Sequence, residues 1–323
     1  MAVYTDITDN DLQQFLAHYD LGALHAFSPV TAGINNTNYL LETETGRYIL
    51  TLVEDFSPGR EALPYITAFT DRLRTAGLPC PEVISDTDGN RISQLAGKPA
   101  LILSFLDGTE PKPVCAAHCR ALGETLAKMH RAGEHFALTR PNPWSVPALL
   151  KKRSFYLDCA EKFEKNLSAE LAMQFDFLEQ NWPEYELPEG NIHADLFPDN
   201  TLFDGETLTG VIDFYLSGYD TLAYDLAICV NAWCFDAGGR PDIEKCAALL
   251  GSYHAAYPLD KQVLDALPVL HRGAALRFLL SRLAEYFDRP DGALVTPHDP
   301  REYLEKLRWH STNDIRNLTG ELP

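Results

Sequence analysis

The chain has 323 residues, 46% of them hydrophobic, enough for a large core in one two-lobed domain or in two domains. Its formal net charge of −19 argues against nucleic acid and anionic membranes as partners. A phosphate ligand would need a divalent cation or a cluster of local donors to bridge it to so acidic a protein.

The N-terminal stretch "MAVYTDITDNDLQQF" is acidic and amphipathic, unlike a secretory signal. No apolar run approaches the roughly 18 residues that would span a bilayer. Seven cysteines at irregular spacing do not form a disulfide framework, and Cys115 and Cys119 lack a second pair for a zinc site. They read as reduced thiols in a cytoplasmic protein.

Thr8 caps a predicted helix over residues 8–20, with Leu12, Phe15, Leu16 and Tyr19 on one face. From there to about residue 106 the signals are strand and turn. "NYLLETETGRYILTLVE" reads as an antiparallel hairpin, a helix spans 61–76 up to Gly77, and short strands follow around "TDGN" and "AGKP". After the link "LSFLDG" the pattern is mainly helical: 113–132, 146–181, 219–235, 242–256, 260–287 and 299–312. Residues 188–217 are the exception, with strand-like "NTLF" and "LTGVIDFY". The order predicts an α+β protein: a small antiparallel-sheet lobe over 1–106, a larger helical lobe over 107–323, and a ligand cleft between them.

The densest chemistry is "HADLFPDN", His193 to Asn200, which is compatible with a metal site, a general-base loop or a polar turn. Asp195 and Asn200 are five positions apart, and Asp213 follows thirteen after Asn200 at the end of the apolar "TGVID". A hairpin would bring the two flanks together, giving one free carboxylate and two oxygen ligands. Phosphoryl transfer needs that division, one group taking the hydroxyl proton and others holding Mg²⁺. His-x-Asp alone carries little weight; the joint spacing is specific.

That spacing resembles the catalytic and metal loops of protein-kinase-like phosphotransferases, and Ala194 in place of Arg resembles their aminoglycoside and choline kinase-like branch. "AGINNTNYLLET", "LPCPEVISDTDG", "LGETLAKMHRAG", "IDFYLSGYDTLAYDLAICVNAWC" and "RFLLSRL" extend the resemblance to the homoserine kinases of that type, across about residues 30–285. Members of that family use ATP to phosphorylate the side-chain hydroxyl of L-homoserine. The resemblance implies Asp195 as catalytic base, with Asn200 and Asp213 as Mg²⁺ ligands. It places Gly33, Asn35, Asn36 and Asn38 in the phosphate loop and adenine against the backbone near Ser104 and Leu106. His193 and Asp225 become structural support for the catalytic loop.

Tyr215, Asp220 and Asn231, with Trp233 beside them, follow the metal Asp and are candidates for the substrate pocket. One position departs from the kinase pattern: Thr51 stands where a phosphate-binding lysine is expected, with Arg47, Arg60 and Lys98 as possible substitutes. The implied ligands are ATP and L-homoserine, with another amino alcohol, choline or an aminoglycoside as the alternative acceptor. Oligomeric state is not legible in the sequence.

Overall fold

The Thr8 hydroxyl accepts from the Asp11 N–H, and the Asp11 carboxylate accepts from the Thr8 N–H, closing a capping box. The helix it starts, α1 (Asp9–Leu16), turns Leu12, Phe15 and Leu16 inward. The description comes from a computed structural model and covers residues 4–30, 36–55, 59–183, 186–236, 238–287 and 298–316.

Six strands build one antiparallel sheet: β1 (Leu24–Pro29), β2 (Thr37–Thr43), β3 (Gly46–Leu52), β4 (Val83–Ile84), β5 (Ser93–Leu95) and β6 (Lys98–Ser104). Their order is β1-β2-β3-β6-β4, with β5 also on β6. The predicted hairpin is β2–β3, closing at Thr43↔Gly46. Along β2 burial alternates, so Tyr39 and Leu41 face inward and join Leu12, Phe15, Leu50, Leu52 and Ile102 in one core. The helix α2 (Leu63–Thr75) ends before Gly77, whose φ of +83° lies in the left-handed region.

Chain contacts divide the protein into two compact units. The first holds the residues up to Gly108 and takes back the segment Thr209–Tyr215. Three ties fasten that segment: Val211 N–H to Pro79 O at 2.8 Å, Thr209 Oγ1 to Asp107 O at 2.7 Å, and Phe214 edge-on to Phe69.

The second unit holds Thr109–Leu208 and most of the chain from Leu216 onward. Its helices are α3 (Ala116–Gly133), α4 (Val146–Leu150), α5 (Arg153–Phe163), α6 (Leu167–Asn181), α7 (Leu222–Trp233), α8 (Ile243–Ala256), α9 (Lys261–Phe287) and α10 (Pro300–Thr312). Every residue of α7 except Ala232 is buried, as an all-round apolar helix requires.

Two expectations are corrected here. The single helix over 146–181 is three helices, the last break falling at Asn166 with φ +68°. The helix over 219–235 starts at Leu222, because Gly218–Thr221 is instead the strand β10, paired antiparallel with β7 (Glu189–Ile192). Gly218 fits this place since a Cβ would come within 2.9 Å of Asn142 Cα. The strands β8 (Thr201–Asp204) and β9 (Thr207–Val211) are joined by a turn at Gly205.

Among the described residues no helix is long and apolar enough to cross a membrane, and all seven cysteines are free.

Candidate active site

The pairing of β7 with β10 decides where the motif sits. β7 runs straight into His193, and β10 runs into the first turn of α7, which carries Asp225. Asp225 accepts the His193 N–H at 2.8 Å and the Ala194 N–H at 2.9 Å. It also faces His130 Nε2 at 3.2 Å, whose Nδ1 meets the Tyr253 hydroxyl at 2.7 Å. Burial alone would raise the Asp225 carboxyl, but the hydrogen bond and charge of His130 and the His193 contacts hold it below the usual range.

The loop is fastened at two further points. Leu196 O accepts from Trp233 Nε1 at 2.9 Å, and the Phe197 ring packs edge-on against Phe278 at 4.6 Å. Asp195 stands between these anchors with its side chain 21% exposed. Asn200 Nδ2 donates to Asp195 O at 2.7 Å and to Asp195 Oδ2 at 3.3 Å. That use of the amide nitrogen leaves Asn200 Oδ1 available to a hard cation. Arg277 lies on the other carboxylate oxygen, Nη1 to Oδ1 3.5 Å.

In the first unit Asp213 follows β9 with φ +64°. Ala194, beside Asp195, has the same left-handed φ of +64°. Non-glycine residues in that region cost about 1–3 kcal/mol and collect at sites whose geometry is imposed by their surroundings. The charge of Asp213 acts, after burial, to raise the Tyr215 hydroxyl. Tyr215 also bonds Thr51 and fills the place a Cβ on Gly59 would need, 2.8 Å from Tyr215 Cδ1.

The other sequence candidates are placed as follows. Gly33 and Asn35 lie outside the described residues. Asn36 is buried and its Oδ1 accepts from the Glu54 N–H, while Asn38 Oδ1 accepts from Thr51 Oγ1 at 2.7 Å. The oxygen of each amide is engaged in the sheet, which leaves the NH₂ as the donor side. Ser104 ends β6 with its N–H on Glu82 O and its Oγ accepting from the Glu82 N–H. Leu106 follows in the link and is half-buried.

Asp220 bonds Asn142 Nδ2 at 2.8 Å and the Thr221 N–H at 2.7 Å, and burial pushes its carboxyl up to about 6 against those bonds. It lines a cavity of about 530 Å³ with Asn142, Trp182 and Tyr219, whose walls include neither Asp195 nor Asn200. Asn231 is fully buried, its Nδ2 on His271 O and its Oδ1 on His310 Nε2. Both ends of that amide are occupied inside the core, so Asn231 is removed from the candidate pocket, as is Trp233 with its single N–H on Leu196 O.

Sequence reasoning gave no role to His130, the buried partner of Asp225, or to Arg277 beside Asp195. Both fall inside stretches that carried the resemblance, "LAKMHRAG" and "RFLLSRL", but neither has a local signature.

Known proteins resemble the chain in sequence and in fold. The chain is 46% identical over 310 residues to a homoserine kinase of Brucella canis, covering 96% of this chain and 94% of that one. It is also 46% identical to a homoserine kinase of a Bradyrhizobium species, covering 96% and 95%. Among solved structures, an amicoumacin kinase in complex with AMP-PNP and Ca²⁺ superposes with a TM-score of 0.71 at 16% identity, covering 97% and 98% of the two chains. A microcompartment-associated aminopropanol kinase gives 0.69 at 21% identity, covering 94% of each. These likenesses establish the two-lobed, protein-kinase-like α+β fold. Residues 26–259 match the phosphotransferase enzyme family, and with relatives this similar over nearly its whole length, the chain belongs to that family.

Proposed function

We infer that the protein is an ATP-dependent homoserine kinase, transferring the γ-phosphoryl group of ATP to the side-chain hydroxyl of L-homoserine on the route to threonine. The observation that carries this is 46% identity to homoserine kinases across 96% of the chain, with the spacing from Asp195 to Asp213 intact. ATP use follows from the family.

In this reading Asp195 accepts the proton of the attacking hydroxyl while the oxygen forms its bond to phosphorus and ADP leaves. The Asn200 amide holds the Asp195 carboxylate, and Asp225 fixes the backbone that carries it. Asn200 Oδ1 and the Asp213 carboxylate have the oxygen chemistry to hold Mg²⁺. When bound, the ion neutralises charge on the β- and γ-phosphates. Among the described residues no three His, Cys, Asp or Glu side chains gather into a metal cage. The amides of Asn36 and Asn38 are assigned to the phosphates, and the backbone of the Ser104–Leu106 link to adenine. With ATP as its substrate, the reaction is assigned in this reading to the cytoplasm.

A coupled ADP assay with Mg²⁺ tests the reading across L-homoserine, choline, 3-aminopropan-1-ol and an aminoglycoside. Turnover is expected with homoserine at the highest kcat/KM. Turnover of any of the others without homoserine would overturn the assignment.

A further inference from the structure

Arg277 and Arg282 lie on the same helix, α9, and both are buried, but only one is satisfied. Arg282 Nη1 donates to Glu302 Oε2 at 2.7 Å and to Asp299 O at 3.1 Å. Arg277, whose side chain is 2% exposed, has Asp195 as its ion-pair partner at 3.5 Å. That is longer than the roughly 2.7–2.9 Å of a charge-assisted hydrogen bond. A guanidinium carries five N–H donors. Among the described residues Arg277 makes no hydrogen bond, and its Nε is buried without a partner. Burying such a group is costly unless an anion completes it.

Two aromatic rings flank this guanidinium. Its Cζ lies 3.6 Å from the Phe278 ring centroid and 5.5 Å from that of Trp144. A planar fork with an unpartnered Nε matches a planar carboxylate presented edge-on.

We propose that Arg277 binds the α-carboxylate of the amino-acid substrate and thereby selects it over alcohols that lack one. This rests on the homoserine kinase reading and adds the residue that recognises the acceptor. The hydroxyl oxygen and carboxyl carbon of homoserine are four bonds apart, roughly 5 Å when extended with bonds near 1.5 Å. A hydroxyl at Asp195 therefore brings the carboxylate within reach of a guanidinium that begins 3.5 Å from that side chain. A purely supportive role, in which Arg277 steadies the Asp195 charge, predicts something different: it would affect every alcohol alike.

The test compares kcat/KM for L-homoserine and for 3-aminopropan-1-ol, its decarboxylated counterpart, in the wild type and in Arg277→Gln. The ratio of the two constants is expected to fall about 100-fold, the worth of a charge-assisted bidentate contact. A ratio equal to that of the wild type overturns the proposal and makes Arg277 a positioning residue for Asp195. Should Arg277→Gln not fold, the wild-type enzyme decides with L-homoserine amide. A kcat/KM about 100-fold below that of homoserine supports carboxylate recognition, and parity overturns it. A wild type that prefers homoserine, with a ratio untouched by Arg277→Gln, sinks the proposal alone. A wild type that phosphorylates another alcohol and not homoserine sinks the reading beneath it.

Discussion

Asp225→Asn keeps the shape of the group beneath the loop and removes one of its acceptor oxygens. Asp225 Oδ1 takes the Ala194 N–H at 2.9 Å; Oδ2 takes the His193 N–H at 2.8 Å and faces His130 Nε2 at 3.2 Å. Either orientation of an amide sets an NH₂ donor against a backbone N–H that is fully buried. One lost hydrogen bond to a charged group costs about 1.5–3 kcal/mol, and the opposed donors add to it, giving about 3 kcal/mol. For a unit of this size that is a fall in Tm of about 6–12 °C. The same two N–H bonds hold Ala194 at φ +64°, so losing one lets the backbone relax and carries Asp195 with it. A displacement of about 1 Å at the reacting group lowers kcat on the order of 10–100-fold. Thermal unfolding and the coupled ADP assay read the two effects. A Tm within about 2 °C of wild type, with kcat within about twofold, would refute the view that Asp225 sets the loop.

Asp195→Ala should lower kcat by about 10³-fold while Mg·ATP affinity measured by titration calorimetry persists; a near-normal kcat removes Asp195 as base. Asp213→Ala should abolish Mg²⁺-dependent nucleotide binding in the same calorimeter, and unchanged affinity takes Asp213 out of the metal site. Burial depresses His271 from 6.5 to about 4, with Asp314 opposing and Arg316 reinforcing, and His310 stacks on it at 5.4 Å. The folded state then binds fewer protons than the unfolded chain. Stability is full above about pH 6.5 and falls toward pH 4, by about 2 kcal/mol at pH 5. His271→Leu should remove that share of the loss in urea midpoints between pH 7.5 and 5, and an unaltered pH dependence would contradict the burial argument.

What the sequence made legible is what short-range patterns encode. The Thr8 cap, the Gly77 stop, the β2–β3 hairpin and the all-round apolar α7 each depend on neighbours a few positions away. The kinase-like fold class and the family were legible too, because the order of the elements and the joint Asp195, Asn200, Asp213 spacing rarely coincide. Long-range partners were not. β10 reads as the start of a helix until β7, 26 residues upstream at the Gly218↔Ile192 pair, supplies its hydrogen bonds. Asn231 looked like a pocket residue because a polar group on an apolar helix reads alike whether it meets a ligand or a buried histidine. Nothing in "RFLLSRL" separates Arg277 from Arg282; only Glu302 and Asp299, from α10 and its cap, distinguish them.

The charge of the protein sharpens what these sites must do. With 46 acids against 27 Lys and Arg, a free cation is scarce, and the possible substitutes for the missing lysine at Thr51 are already paired. Arg47 meets Asp107 at 2.6 Å, Arg60 meets Asp55 at 2.8 Å, and Lys98 meets Glu54 at 2.7 Å. They are not equally held. Glu54 is buried and also takes Thr5 Oγ1 and Thr37 Oγ1, so Lys98 neutralises a carboxylate that the unit cannot leave bare. Arg47 and Asp107 are exposed, and a pair of that kind contributes about 0–1 kcal/mol, which a phosphate could displace. Lys98 is therefore structural, and of the three substitutes only Arg47 and Arg60 have pairs exposed enough for a phosphate to displace. In an enzyme this acidic, the proposed Mg²⁺ would then carry much of the neutralisation of the nucleotide's charge. The incompletely paired guanidinium of Arg277 remains for an anion of another kind, the carboxylate of the acceptor.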